Sequence, residues 1–347
     1  MRIGFFSDSY FPEIDGVTYT LKLWRDRLEE RGHEVYIIYP ESEGYEPDEN
    51  EIPVRSVSNP FYPGYNIPLP TSLDFPELDV VHCHSPGPIG RAGRRYAFRD
   101  DAKAIYTHHT PLEEYFEQSI KSSVLADFLG RIYVPLEELF LSKFDKVMTN
   151  TDGDDRDVET VEVPAGIDMR FFQPREEEIQ LEYTRPLIGY SGRLSDEKNV
   201  DEVLGLAEEI DADFIVVGEG PQKQKLVEEA PENVKFRDFL DREDLPKFYS
   251  MLDVFVTAST GDTLGISPLE ANACGTPVVA ADVHPFDTTI EGENGLRYDK
   301  GDIQDFAEKT GKAIEKEWNC RKAVRQYSLE KTMDKLLRIY AEAGKHD

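Results

Sequence analysis

Two cations and two carboxylates are the residues of this sequence whose types and spacing could do chemistry. Arg193 and Lys198 lie five residues apart in GRLSDEKN, on a loop that leads into a predicted helix. The arginine offers a planar fork of donors and the lysine a compact charge, so both cations can reach one anion. Gly192 permits a tight turn directly before them. The stretch therefore predicts an anion site at the start of a helix.

The two carboxylates belong to STGDTLGISPLEANACGTPVVAA (259–281), a stretch that predicts a loop, a helix and a strand. Asp262 precedes Glu270 by eight residues, and both side chains can accept hydrogen bonds from hydroxyl groups. The turn between them leads into a helix whose free N–H groups and dipole attract phosphate. The stretch therefore suits a ligand that carries hydroxyls and phosphates. The alternative is a surface turn with two solvated acids.

A glycine and a histidine pair in the first half occupy positions where α/β sheets bind ligands. Gly16 opens a helix after the first strand, where backbone N–H groups could hold a phosphate; a simple turn glycine is the alternative. His108 and His109 end a strand that begins at Lys103. They point to opposite sides, so we expect at most one to face a cleft. A hydrogen-bonded core histidine is the alternative for either.

Four arginines form a stripe on the helix that begins at Pro86 and Gly87. By the 3.6-residue period they fall within about 140° of one helical face, and they are Arg91, Arg94, Arg95 and Arg99. Such a stripe could meet an anionic membrane surface or a phosphorylated acceptor. The alternative is a solvated face that pairs with local acids such as Asp100 and Asp101.

The elements that must position these residues alternate between strand and helix in both halves of the chain. Strands are predicted at 3–6, 35–39, 79–82, 103–107, 146–149, 187–191, 214–217, 234–236, 253–257 and 277–281. Helices are predicted at 119–143, 302–317, 319–326 and 329–343, among others. This alternation predicts an α/β chain with two doubly wound, parallel-sheet domains.

Composition excludes several classes of protein. The chain has 347 residues and a net charge of -30, which repels nucleic acid. Such an acidic surplus is typical of proteins adapted to high salt; a mildly acidic cytosolic protein is the alternative. Three scattered cysteines give no zinc or disulfide framework and favour a reducing compartment. MRIGFFSD is a strand start rather than a signal peptide, and no 18-residue apolar run exists, so we expect a cytoplasmic protein.

Several motifs, taken together, resemble a known family. GRLSDEKN, VGEGP, the Asp262-x7-Glu270 spacing with EANACGTPVV, and VPAGID resemble the retaining GT-B-fold glycosyltransferases of the "group 1" class, family 4. FFSDSYFPEIDGVTYTL, VVHCHSPGPIG and THHT resemble the members that build glycolipids, such as diacylglycerol glucosyltransferases, sulfolipid synthases and phosphatidylinositol mannosyltransferases. The resemblance covers nearly the whole chain. It implies two Rossmann-like domains that face each other across a cleft.

The resemblance also implies domain bounds and a reaction. Residues 1–163, with the C-terminal helix 329–347 packed back on them, would form the acceptor-side domain, and residues 164–328 would bind the nucleotide sugar. The chain would be a retaining hexosyltransferase that moves a sugar, UDP-linked in our expectation, to a lipid or lipid-linked acceptor. No cofactor or metal is expected; the acidic run DGDD at 152–155 is interpreted as part of a solvated connection rather than as the metal pair that other sugar transferases use. The helix at 86–99 and the proline-rich loop at 57–73 would meet the acceptor at the inner face of a membrane.

Residue roles follow from the resemblance at matching positions. Arg193 and Lys198 would hold the diphosphate and stabilise it as it leaves. Glu270 would bind the ribose, Asp262 the sugar hydroxyls, and His109 would face the sugar ring. The backbone would contact phosphate or sugar at four positions, which are Gly16, Thr263, Leu264 and Gly265.

One departure from the family pattern bears on specificity. The family usually has glutamate where this chain has Asp262, so the carboxylate is one methylene shorter, and the sugar preference depends on its reach. Two other functions remain open from the sequence. One is a nucleotide-sugar epimerase or hydrolase on the same fold. The other is a non-catalytic protein that binds sugar nucleotides.

Overall fold

The structure is a computed structural model, and it divides into two compact units. The described residues are 1–13, 16–58, 66–70, 75–109, 134–150, 158–177, 179–180, 182–184 and 186–343. The first unit comprises Met1–Pro164 with Thr332–Asp347, and the second comprises Ala165–Lys331.

The first unit is built on a seven-stranded sheet in which every pair of neighbouring strands is parallel. The strand order is β3-β2-β1-β6-β7-β8-β9. The strands are β1 (Arg2–Phe6), β2 (Glu34–Pro40), β3 (Glu51–Val54), β6 (Val80–Cys83), β7 (Lys103–His108), β8 (Lys146–Thr149) and β9 (Thr160–Glu162). A short antiparallel pair, β4 (Ser56–Ser58) and β5 (Asn66–Pro68), lies outside this sheet. The central strands are buried along nearly their whole length, as expected of parallel strands covered on both faces.

Helices in the first unit follow the predicted amphipathic pattern. α1 spans Gly16–Glu30 and buries Leu21, Trp24 and Leu28, which share one face at helical spacing. α2 spans Pro88–Asp100, and α3 covers residues 134–141. Residues 119–133 of the predicted 119–143 helical region lie outside the described residues, and residues 142–143 form a turn rather than helix.

The second unit is built on a six-stranded parallel sheet of order β12-β11-β10-β13-β14-β15. Its strands are β10 (Leu187–Ser191), β11 (Asp213–Val217), β12 (Val234–Arg237), β13 (Val254–Thr257), β14 (Val278–Ala281) and β15 (Gly295–Tyr298). Its helices are α4 (Val200–Glu209), α5 (Lys223–Glu229), α6 (Leu245–Met251), α7 (Ile266–Ala273), α8 (Phe286–Thr289), α9 (Ile303–Glu315) and α10 (Cys320–Ala323). Short 3₁₀ turns at Asp196–Lys198, Arg242–Asp244 and Val324–Tyr327 adjoin them.

The last helix, α11 (Leu329–Glu342), carries the chain from the second unit into the first. Tyr340 is fully buried, and its hydroxyl lies 2.7 Å from Nδ1 of His82 on β6. Lys103 donates a hydrogen bond to the Tyr340 carbonyl at 2.7 Å, and Arg31 pairs with Asp334 at 2.8 Å. The last helix is therefore anchored to the first unit by buried and surface contacts.

The predicted fold class is confirmed: both halves form α/β units with parallel sheets. The predicted helix at 319–326 is an α turn followed by a 3₁₀ turn. Of the predicted 57–73 loop, residues 57–58 and 66–68 form strand, and residues 59–65 and 71–74 lie outside the described part of the chain.

Candidate functional site

The anion-site loop of the second unit begins where β10 ends. Gly192 N–H donates to the Val217 carbonyl at 3.0 Å, and Leu194 N–H donates to the Glu219 carbonyl at 2.8 Å, so the loops after β10 and β11 lie against each other. A side chain at Gly218 would place its Cβ 2.0 Å from the Gly192 carbonyl oxygen. This close approach explains why the first glycine of VGEGP, Gly218, carries no side chain. It also fixes the course of the loop that carries Arg193.

Lys198 and Asp262, which are 64 residues apart in sequence, form an ion pair. Nζ of Lys198 lies 3.0 Å from Oδ1 of Asp262, and the two side chains are 16% and 26% exposed. Two hydrogen bonds hold the segments together: Thr260 N–H donates to the Glu197 carbonyl at 2.9 Å, and Asn199 Nδ2 donates to the Ala258 carbonyl at 3.1 Å. The predicted cation and the predicted sugar-facing carboxylate are therefore direct neighbours.

Arg193 contrasts with Lys198 in its surroundings. It is exposed, and within the described part of the chain its guanidinium forms no hydrogen bond or ion pair. The Tyr190 hydroxyl donates to the Arg193 carbonyl at 3.1 Å, which holds the backbone of the loop but leaves the side chain uncommitted. Arg193 is thus available to an anion without first breaking a contact.

The turn into α7 offers unused backbone donors beside this pair. Gly265 is the N-cap and has φ +73°, a left-handed conformation that favours glycine. Over the residues that the structure describes, the N–H groups of Thr263, Leu264 and Gly265 donate to no partner. Leu264 is buried in the core, which fixes the turn while its backbone stays polar. A helix N-terminus with free N–H groups is a suitable site for phosphate.

Glu270 is a buried carboxylate one turn along α7. It is 8% exposed, and the buried Tyr249 hydroxyl donates to its Oε2 at 3.1 Å. Burial raises the pKa of Glu270 to about 7, and the positive charge of Arg242 together with the Tyr249 hydrogen bond opposes that rise. A carboxylate kept in such a place has spare acceptor capacity for hydroxyl groups. Tyr249 was not predicted as part of the site, because FYSM in α6 reads as an ordinary core face.

His109 in the first unit belongs to a buried cluster of histidines. Its Nε2 lies 2.9 Å from Nδ1 of His84, and the His84 ring lies against His82 with centroids 4.0 Å apart and ring planes tilted by 35°. Nε2 of His82 in turn lies 2.7 Å from the Thr107 hydroxyl. Burial lowers the pKa of His82 and His84 well below the ordinary value and that of His109 to about 3, so all three rings are neutral.

The sequence could have indicated two of these histidines. His82 and His84 are two residues apart at the end of β6, so they share one face of the strand. His108 instead lies near an acid, with Nε2 3.6 Å from Oε1 of the buried Glu137. Neighbouring histidines of the HH pair therefore have different partners.

Gly16 is exposed at the first position of α1, and residues 14–15 before it lie outside the described chain. A buried network flanks it. Glu51 accepts hydrogen bonds from the Tyr10 hydroxyl at 2.8 Å, from Arg25 of α1 at 2.6 Å and from the Tyr45 hydroxyl at 2.8 Å. The network ties the residues after β1 to α1, and no sequence motif predicts it.

The arginine stripe of α2 is divided in the structure. Arg99 pairs with the adjacent Asp100 at 2.6 Å, which is the local pairing considered as the alternative. Arg94 is half-buried, donates to the Lys143 carbonyl and lies over the rings of Phe98 and Phe144. Arg91 and Arg95 are exposed, as is Arg99, and Phe98 on the same helix is 74% exposed.

The described residues show neither a metal-binding cluster nor a helix that could span a membrane. They contain no group of three or more His, Cys, Asp and Glu side chains placed to hold a metal ion, and DGDD at 152–155 lies outside them. None of their helices has the length and apolar character needed to cross a membrane.

Comparison with known proteins gives matches along most of the chain. Residues 14–168 match the family model Glycosyltransferase Family 4, and residues 172–331 match Glycosyl transferases group 1. The chain is 28% identical over 316 residues to the alpha-monoglucosyldiacylglycerol synthase of Streptococcus pneumoniae, which covers 81% of this chain and 71% of that protein. It is 26% identical over 337 residues to a GDP-mannose-dependent alpha-mannosyltransferase of Corynebacterium glutamicum, covering 91% and 80%.

A solved structure resembles the fold. Alr3699/HepE of Anabaena, crystallised in complex with UDP, matches with a TM-score of 0.73 at 17% identity. The match covers 98% of this chain and 100% of that chain. At this identity the likeness concerns the fold alone.

Proposed function

Because the chain belongs to the GT-B glycosyltransferases, we propose that it transfers a hexose from a nucleotide sugar with retention of configuration and without a divalent metal. The acceptor in this proposal is a lipid or lipid-linked group. The nucleotide is UDP, which the Anabaena structure contains, although the Corynebacterium relative is named for GDP-mannose. The Streptococcus relative is named for the synthesis of a glucosyl diacylglycerol, which supports a lipid acceptor.

The observation that carries this proposal is the meeting of Lys198 and Asp262 beside free backbone donors. A nucleotide sugar combines a diphosphate with hydroxyl-bearing rings. Lys198 and the N–H groups at the turn into α7 suit the diphosphate, and Asp262 suits sugar hydroxyls. Glu270, buried one turn further on, suits the two hydroxyls of a ribose. The diphosphate, the sugar and the ribose thus each have a chemical counterpart in the second unit.

The same groups would stabilise the leaving group. In the transfer, the bond between the anomeric carbon and the phosphate oxygen breaks, and negative charge develops on the diphosphate. Fixed donors aimed at developing charge lower the barrier, and removal of one such donor typically costs about 100- to 1,000-fold in rate. Lys198 and Arg193 would supply the positive charge that a metal ion supplies elsewhere.

Retention follows in this proposal from a front-face reaction. The acceptor oxygen forms its bond to the anomeric carbon on the side from which the diphosphate departs. A phosphate oxygen of the leaving group takes the acceptor's proton, so no protein base is needed for that step. His109 would face the sugar ring, and the backbone at Gly16 would meet the distal phosphate.

A donor screen followed by a transfer assay tests the proposed function. Thermal unfolding is measured with UDP-, GDP- and ADP-sugars, since a bound donor raises the unfolding temperature by mass action. The stabilising donor is then incubated with vesicles of diacylglycerol and phospholipid. We expect a glycolipid whose anomeric configuration, read by NMR, matches that of the donor. An inverted product, or conversion of the donor alone into its epimer or into free sugar, would contradict the proposal.

Membrane contact is proposed through α2. Arg91 and Arg95 are exposed beside Phe98, and a cationic surface with an exposed aromatic suits an anionic lipid interface. We expect the protein to sediment with vesicles that contain anionic lipid at moderate salt and not with neutral ones. The double variant Arg91→Ser/Arg95→Ser should lose this preference, whereas Arg99→Ser, which removes an arginine already paired with Asp100, should lose less. Equal binding to both kinds of vesicle would contradict membrane contact through charge.

A further inference from the structure

His84 lies within hydrogen-bond distance of His109, and the other ring nitrogen of His84 has no hydrogen-bond partner among the described residues. His84 is 4% exposed, and its Nδ1 lies 2.9 Å from Nε2 of His109. Its own Nε2 is buried and has no hydrogen-bond partner among the described residues. Among the described residues, Nδ1 of His109 has no hydrogen-bond partner either.

The unused nitrogen of His84 decides where the protons lie. Both rings are neutral, so each carries one proton, and one of the two facing nitrogens must donate while the other accepts. If His109 donated, His84 would accept at Nδ1 and would carry its proton on the buried Nε2 with nothing to receive it. Orphaned buried N–H groups are rare, whereas unused acceptors are tolerated better. The favoured arrangement therefore has His84 donating from Nδ1 to Nε2 of His109.

The position of the His84 ring is itself fixed. His82 packs against it with centroids 4.0 Å apart and ring planes tilted by 35°, and the hydroxyls of Tyr340 and Thr107 lie within hydrogen-bond distance of the two His82 nitrogens. Phe5 and Trp24 pack against His84 with centroids 5.0 Å and 5.9 Å away. The ring has no room to turn and exchange its two nitrogens.

We propose that His84 is a positioning residue that holds His109 in the tautomer protonated at Nδ1, so that His109 presents a hydrogen-bond donor. The group that receives this bond is a hydroxyl oxygen of the donor sugar, and this second half rests on the proposed function. His109 then binds and orients the sugar. It does not act as a base at Nδ1, because that nitrogen has no free lone pair.

Nitrogen NMR tests the tautomer without any reaction. The protein is labelled with ¹⁵N-histidine, and two-bond proton–nitrogen spectra distinguish the two neutral tautomers. The His109 signals are assigned by their loss in His109→Gln, and His284→Gln, an exposed histidine of the second unit, serves as the control. We expect His109 to be protonated at Nδ1 in the wild type. Protonation at Nε2 would overturn the proposal.

Two substitutions at His84 then separate donation from packing. In His84→Asn the amide nitrogen occupies the place of Nδ1 and keeps the donor, so His109 should stay protonated at Nδ1. In His84→Phe the donor is lost while an aromatic ring remains, so the nitrogen resonance of His109 Nε2 should shift to that of a ring nitrogen that accepts no hydrogen bond. An unchanged His109 spectrum in a folded His84→Phe protein would overturn the assignment.

Kinetics test the second half. His84→Phe should lower kcat/KM for the nucleotide sugar about tenfold while the affinity for UDP, which has no sugar, stays within twofold of the wild type. His84→Asn should restore most of the loss. Equal kcat/KM in His84→Phe and wild type would overturn the sugar contact, and equal losses in both variants would reduce His84 to packing. Absence of transfer in the wild type would count against the proposed function, whereas the NMR result stands on its own.

Discussion

Replacing Glu270 with glutamine is expected to stabilise the second unit at alkaline pH while it weakens nucleotide binding. Glu270 is 8% exposed, and burial raises its pKa from 4.5 to about 7. A difference of one in pKa corresponds to about 1.4 kcal/mol, so the ionised carboxylate lowers the free energy of unfolding by about 3 kcal/mol. Glutamine keeps the shape and an acceptor for Tyr249 but carries no charge to desolvate.

The contribution of the Glu270 carboxyl to the free energy of unfolding depends on pH. Below about pH 4.5 the carboxyl is protonated in both the folded and the unfolded chain, so it contributes no penalty. Between 4.5 and about 7 the unfolded chain releases its proton while the folded chain keeps it, and stability falls as pH rises. Above about 7 both states are ionised and the penalty is complete. The advantage of Glu270→Gln should therefore be small at pH 5 and largest near pH 8.

Thermal unfolding of the variant and the wild type at pH 5 and pH 8, in the same salt, measures this advantage. A difference of about 3 kcal/mol corresponds to a shift in Tm of about 6 to 12 °C for a unit of this size. Glu228→Gln, which changes an exposed acid of the same unit, is the control and should shift Tm by less than about 1 °C. Titration calorimetry of UDP should show weaker binding to Glu270→Gln at pH 8, where the wild-type carboxyl is ionised.

Two results would refute this reasoning. If the Tm difference between Glu270→Gln and wild type were the same at pH 5 and pH 8, the carboxyl would not carry a raised pKa. If the variant bound UDP as tightly as the wild type, the buried carboxylate would have no role in the nucleotide site.

Four other changes, two in the second unit and two in the solution conditions, have expected outcomes. Asp262→Asn should tighten UDP binding about fivefold, because the carboxylate 3.0 Å from Lys198 no longer competes with the diphosphate for that cation. Asp262→Glu keeps the negative charge and should not tighten binding. Weaker binding of UDP to Asp262→Asn by calorimetry would contradict this prediction. Gly265→Ala should lower the free energy of unfolding by about 2 kcal/mol, because φ is +73° and the new Cβ would lie 2.6 Å from the Phe286 ring. The control Gly311→Ala places its Cβ in open space on α9 and should be neutral or stabilising. Urea unfolding measures both changes. Transfer should continue at an unchanged rate in excess EDTA, and its loss, restored by a divalent cation, would contradict the metal-free proposal. Raising KCl from about 0.1 to 1 M should raise Tm, because salt screens the repulsion within a chain of net charge -30; a fall would contradict that.

The sheets could be predicted from the sequence because their chemistry is local. Buried parallel strands appear as short apolar runs, and IGFF of β1 and VVAA of β14 are buried throughout in the structure. Gly32 and Gly275 follow the ends of helices and have positive φ. Because glycine adopts this conformation far more readily than other residues, a single glycine in the sequence indicates a helix end. Short elements were missed or merged because β4 and β5 depend on each other across residues that give no periodic pattern.

The site could be predicted only in part, because its groups meet through tertiary contacts. Lys198 and Asp262 were each picked out by type and position, but their ion pair joins loops 64 residues apart. The Tyr249–Glu270 hydrogen bond joins two helices, and Tyr249 looks like any other core aromatic in sequence. The same holds for His84. Its proposed role depends on its contact with His109, which no local sequence pattern indicates.

Sugar transfer by Lys198→Ala tests the central claim most directly. The assay follows a labelled sugar from its nucleotide donor into vesicle lipid, with Lys225→Ala, an exposed lysine of the same unit, as the matched control. Loss of the lysine removes a cation from the developing diphosphate, so we predict a rate at least about 100-fold below wild type, with the control unchanged. Transfer by Lys198→Ala at the wild-type rate would contradict the account.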